Sequence, residues 1–114
     1  MLHIRKEQME VFDAYMLELF VEKMLVHVRE VFPEQTKDKS KDELRALVED
    51  GIKRASAYDI NEERQVALLI DLMIGIGRDF EKRKPWIERI LVSEEFDQHE
   101  KMNLIYKRLE AASA

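Results

Sequence analysis

The segment from Ile60 to Trp86, INEERQVALLIDLMIGIGRDFEKRKPW, constrains the fold more than any other stretch. Between Val66 and Gly77 the only charged residue is Asp71. At about 100° per residue, Val66, Leu68, Leu69, Ile70, Leu72, Met73, Ile74 and Ile76 cover nearly every side of a helix. A helix apolar on all sides has to be enclosed by others, so the pattern predicts the buried central helix of an all-α bundle. Asn61 stands where an N-cap is wanted, and Glu62 and Glu63 suit the positive end of the helix dipole. Ile60 is placed to staple onto the first turns. Gly75 and Gly77 are stop signals, and Pro85 suits the first turn of a following short helix. The charged run Arg78 to Lys84 reads as a loop anchored by Phe80.

The chain before this segment predicts two more helices. Arg5 to Val31 reads as one long helix stopped by Pro33. Met9, Phe12, Met16, Leu19, Phe20, Met24, His27 and Val31 fall on one broad face, the expected core side. Glu7, Glu18, Glu22 and Arg29 fall opposite. Leu17, Val21, Leu25, Val28 and Phe32 add a second apolar flank, a surplus that predicts either a central position or packing on a second molecule. Pro33 to Lys39 reads as a polar connection. Ser40 and Glu43 then form a capping box for a helix ending near Ala57. Leu44, Leu47, Val48, Ile52 and Ala55 make its stripe. Gly51 lies within that stripe, where glycine costs about 1 kcal/mol relative to alanine, so close packing on another helix is expected there.

Asp97 and Glu100 form a second capping box, and Met102, Ile105, Tyr106 and Leu109 mark the last helix. Nowhere does a period-2 pattern beat the helical one. The expectation is a single all-α domain over residues 1–114: a bundle of four to five helices with a long N-terminal helix and a buried central third helix.

Charge and composition narrow the function classes. The 114 residues include no cysteine, which excludes disulfides and cysteine-type zinc sites. The net charge of -5 argues against nucleic acid as a partner and suits a basic protein surface. The opening MLHIRKEQMEVF lacks the apolar region of a signal peptide, and no uncharged run nears the roughly 20 residues of a membrane span. A cytoplasmic protein with no membrane role is expected.

No catalytic, cofactor-binding or metal-ligating set can be assembled. His3, His27 and His99 are not spaced i, i+4, and no Glu-x-x-His pair suits a di-iron bundle. There is no phosphate-binding loop, dinucleotide fingerprint or nucleophile elbow. His27 reads as a core or rim histidine with one satisfied nitrogen. Asp71 needs a partner in so apolar a helix, and the guanidinium groups of Arg64 and Arg78, two turns to either side, or one from a neighbouring helix, are the expected ones. Trp86 reads as a core plug, and the basic loop beside it, Glu81 to Lys84, as solvated.

The run Tyr58-Asp59-Ile60-Asn61-Glu62-Glu63-Arg64-Gln65-Val66-Ala67 continues through Ile70-Asp71-Leu72-Met73 and Gly77-Arg78-Asp79-Phe80 to Pro85-Trp86. With the start Ile4-Arg5-Lys6-Glu7-Gln8-Met9, the Phe32-Pro33 pair and Glu100-Lys101-Met102 before Tyr106, it resembles a loose family of short helical bacterial proteins encoded beside type VI secretion effectors and spike proteins. The resemblance covers most of the chain. It implies a non-enzymatic partner of a secreted toxin, an immunity protein in preference to an effector adaptor or loading chaperone. Arg64, Asp71 and Trp86 match the pattern as fold-keeping residues, while the loop Glu81 to Lys84 departs from the acidic loop expected of relatives. Partner contact is expected at Glu18, Glu22 and Leu25 on the outer first helix, or at Asp59, Glu62 and Glu63 at the start of the third. A homodimer burying Leu17, Val21, Leu25 and Val28 in a two-fold interface is the alternative.

Overall fold

Ser40 and Glu43 show how the chain punctuates itself. The Ser40 hydroxyl accepts the Glu43 N–H at 3.1 Å, and the Glu43 carboxylate accepts the Ser40 N–H at 3.0 Å. Asp97 and Glu100 close a second box in the same way. A computed structural model describes residues 14–113. Helices α1 (Ala14–Val31), α2 (Pro33–Thr36), α3 (Lys41–Ala57), α4 (Glu63–Gly75), α5 (Phe80–Arg83), α6 (Pro85–Leu91) and α7 (Gln98–Ser113) follow one another, with no β-strand among the described residues. The fold is all-α. Among the described residues, four helices of 13 to 18 residues carry it, and three short ones turn the corners.

Helix α4 packs against α1, α3 and α7, and α6 packs against α5 and α7. One apolar core results, in which Val28, Leu44, Val48, Leu69, Ile70, Phe80, Ile87, Leu91 and Ile105 are fully buried. Each such side chain contributes about 1.5–3 kcal/mol relative to leaving it in water. Gly51 explains itself at the α3–α4 contact: a Cβ there would lie 2.6 Å from Ile70 Cγ1 and 3.1 Å from Met73 Sδ. None of the described helices is long and apolar enough to cross a membrane.

Several expectations are corrected. Pro33 does stop α1, but it also opens α2 where a loop was expected. There Thr36 is buried, its hydroxyl donating to Phe32 O, and Arg29 donates to Thr36 O and Lys39 O. The run Arg78 to Lys84 likewise contains the helical turn α5. Asn61 does not cap α4: Glu62 holds the N-cap position without a side-chain bond, and Asn61 Oδ1 accepts from Gln98 Nε2 instead. Helix α4 is also less enclosed than its sequence predicts, because Arg64 is exposed and Ala67, Leu68 and Asp71 are only half-buried.

The orientation of α1 differs too. Its core side is Phe20, Val21, Met24, Leu25 and Val28, while Met16, Leu19 and Val31 are exposed. The flank read as surplus is therefore core, and part of the broad face points outward. A helix apolar nearly all round does not set its own phase; the neighbours α3 and α4 do. Met9 and Phe12, and the helix start at Arg5, lie outside the described residues.

Candidate functional site

The six residues expected to meet a partner separate into two regions. On α1, Glu18 and Glu22 are tied to α3 through Arg45, whose Nη2 lies 2.6 Å from Glu18 Oε1 and 3.2 Å from Glu22 Oε1. The Glu18 carboxyl is held below its usual range, chiefly by the hydrogen bond from Arg45. Leu25 is not part of this surface. It is 6% exposed and sits in the core, which removes it as a contact residue and removes Val21, Leu25 and Val28 as a two-fold interface.

Three other apolar side chains take its place outside. Tyr15 is 74% exposed, Val26 is 59% exposed, and Leu19 lies between them. At spacings of four and seven residues they share one helix face, bordered by Glu18 and Glu22 on one edge and Lys23 on the other. The signal was present in the sequence, but it becomes visible only once the helix phase is known.

The second region lies where α3 turns into α4. Tyr58, Asp59, Glu62, Phe96, Asp97 and His99 line an open cleft of about 730 Å³. Asp59 adopts φ 60, the left-handed region that a short polar side chain tolerates. Gln98 holds the turn in place: its Oε1 accepts the N–H groups of Asn61 and Glu62, both at 3.0 Å. Lys101 is only 6% exposed, and its Nζ donates to Tyr58 O at 3.1 Å, so a cation faces the negative end of α3. The sequence does not reveal the roles of Gln98 and Lys101 at this turn, because each acts on a segment about forty residues away.

His99 Nε2 lies 2.6 Å from Glu62 Oε2, and Gln65 Nε2 donates weakly to His99 Nδ1 at 3.4 Å. The buried Gln65 Oε1 has no hydrogen-bond partner among the described residues. Tyr58 donates to Glu81, which also receives Arg54. Burial and that carboxylate push the Tyr58 hydroxyl well above its ordinary range. Glu63 stands in the first turn of α4 and does not line the cleft.

Asp71 is partnered by an imidazole from α1, not by a guanidinium. His27 Nε2 reaches both of its carboxylate oxygens, at 3.0 and 3.1 Å. Arg64 is exposed, and Arg78 instead pairs with Asp50 at 3.0 Å. Burial raises the Asp71 carboxyl above its usual value, partly offset by the hydrogen bond and charge of His27. Tyr106 donates to Leu68 O at 2.6 Å, which engages the hydroxyl close to this pair. The His27–Asp71 contact joins α1 to α4. Among the described residues, no three His, Cys, Asp or Glu side chains are arranged to hold a metal ion.

What the arrangement offers is surface. The bundle presents an apolar and acidic strip on α1 and an acidic cleft at the α3–α4 turn. No family model, curated protein or solved structure matches the chain.

Proposed function

We propose that the protein is a cytoplasmic, non-enzymatic binding module, an immunity protein that neutralises a type VI secretion effector. The observation that carries this reading is the outward face of α1. Tyr15, Leu19 and Val26 are left in water beside Glu18 and Glu22, whose carboxylates Arg45 holds in place. Exposed apolar side chains rimmed by ordered charge suit a protein partner with an apolar and basic patch. The reading takes α4 as the central member of the bundle and α1 as the long element laid across it. A neutralising protein needs a rigid, complementary face and no chemistry of its own. The resemblance to short helical proteins encoded beside such effectors supplies the identity of the partner.

The test is co-expression with the toxin-like product encoded beside the gene, scoring growth and co-purification together. Rescued growth with a stable complex supports immunity. A complex without rescue would make the protein an adaptor or loading chaperone. Neither rescue nor complex would sink the toxin-partner reading. Converting Glu18 and Glu22 together to lysine should weaken the complex and reduce its salt sensitivity. Unchanged affinity would clear this face of α1 from the interface.

A further inference from the structure

The face around Trp86 has a charge opposite to that of the two acidic regions. Arg108 on α7 lies over the Trp86 ring, its guanidinium carbon 4.4 Å from the ring centre. Arg89 follows Trp86 by three residues on α6, so the two leave that helix on the same side. Leu104, exposed, stands one turn before Arg108, and Lys107 adjoins it. Lys84 directly precedes α6.

Among the other described arginines, only Arg29, which donates to backbone carbonyls, and the exposed Arg64 meet no carboxylate. Arg45, Arg54, Arg78 and Arg83 each meet a carboxylate. Among the described residues, no carboxylate comes within 4.0 Å of Lys84, Arg89, Lys107 or Arg108. The acid on α6, Glu88, bears on Tyr58, whose ionisation its charge opposes. Glu110 is the one acid on the last turns of α7. A set of unmatched cations around an aromatic ring, on an acidic protein, calls for an occupant.

We propose that this face docks an acidic segment of a protein partner, with Arg89 and Arg108 taking its carboxylates. A guanidinium stacked on an indole is already oriented, so little of its freedom is lost when it binds. Its planar fork matches a carboxylate with two parallel hydrogen bonds. Phosphates would suit the same forks, but single-stranded nucleic acid gains most from stacking bases on open aromatic faces. Trp86 is half-buried and Arg108 already covers its ring. The net charge of -5 also opposes a long polyanion, whereas a short acidic segment meets only the basic face. The inference does not rest on the effector-binding reading of α1. Together the two faces would let one small module join a basic partner to an acidic one.

Trp86 is the only tryptophan, so its fluorescence reports on this face alone. The experiment titrates the full chain with a short poly-glutamate peptide at low salt. The expected result is a saturable change in Trp86 emission that added salt abolishes. Affinity should fall at least about tenfold in Arg89→Gln and further in Arg89→Gln/Arg108→Gln, and hold in Glu18→Gln/Glu22→Gln. Arg89 is exposed, so the single variant keeps the test valid if the double variant misfolds. No saturable response, or equal affinity in Arg89→Gln, overturns the proposal. Tighter binding of a single-stranded oligonucleotide overturns it in favour of nucleic acid. Self-association of the protein alone that Arg89→Gln abolishes overturns it in favour of a second copy of the chain.

Discussion

Two of the contacts that hold helix α4 are opposite in character. Against α3 the contact is dry and close, because Gly51 admits the Ile70 and Met73 side chains to the α3 backbone. Against α1 it is polar, with His27 donating to an Asp71 carboxylate that is 17% exposed. One contact closes by shape and the other by charge. A shape-closed contact fails when an atom is added. A charge-closed contact fails when one partner is taken away and recovers when both are.

The sharpest way to break this comparison is Gly51→Val. Its Cβ would lie 2.6 Å from Ile70 Cγ1 with no slack around it, so the helices must separate or Ile70 must leave its rotamer. Loss of about 2–3 kcal/mol in chemical denaturation is expected, as for overpacking elsewhere. Gly51→Ala should lose less, because alanine's better helix propensity returns about 1 kcal/mol. A stability equal to wild type in the valine variant would mean that α3 yields easily, and the contact would not be shape-closed at all.

Next in size is the polar side. His27→Leu leaves the Asp71 carboxylate half-buried without its partner and should cost about 1–2 kcal/mol, the range for an orphaned polar group with some access to water. His27→Leu/Asp71→Leu should recover to within about 1 kcal/mol of wild type, since a well-packed apolar pair replaces the hydrogen-bonded pair. If the double variant is the less stable of the two, the His27–Asp71 bond stabilises the fold outright and the contrast with Gly51 disappears.

The sequence made the dry contact legible and left the polar one obscure, and the reason is range. Gly51 sits in the apolar stripe of its own helix, and the capping boxes at Ser40 and Asp97 span three residues each, so local pattern was enough. The apolar run around Asp71 says that it needs a partner, and points to a guanidinium, from Arg64, Arg78 or a neighbouring helix; the partner is an imidazole. The true partner is 44 residues away on α1. The same difficulty hid the orientation of α1. With apolar residues on nearly every side, its periodicity does not say which face meets α3 and α4. Leu25 was therefore expected outside and is inside, while Tyr15 and Val26 are outside and were not singled out. Of the acidic cleft, Asp59 and Glu62 were expected at a surface. The residues that build the turn, Gln98 and Lys101, come from another helix.

Acidity separates the contacts further. Burial raises the Asp71 carboxyl above its unfolded value near 3.8, so the folded state holds this proton more tightly than the unfolded state. The stability it contributes is full below about pH 4 and is lost as pH rises through the raised folded value. Both influences that lower it come from His27. In His27→Gln the loss on raising the pH from about 4 should therefore be steeper than in wild type, and in Asp71→Asn it should vanish. Denaturation midpoints followed across that window would check both.

Glu18 supplies the opposite sign and the smallest effect. Its carboxyl is held low by Arg45, so its contribution is present above the unfolded value near 4.5 and is lost as pH falls through the lowered folded one. It stands in water, where salt screens its attraction and two long side chains must be ordered to make the bond. Glu18→Gln should leave the denaturation midpoint at neutral pH unchanged within scatter and remove a slight loss of stability on the acid side. That acid-side loss should already be absent from wild type in high salt. The Asp71 loss, at a contact only 17% exposed, should survive the same salt. Two carboxylates, one on α1 and one bonded to it, would then change stability with pH in opposite directions, and only the enclosed one would resist salt. If added salt erased both, water would reach the α1–α4 contact as freely as it reaches Arg45, and that side of α4 would not be closed.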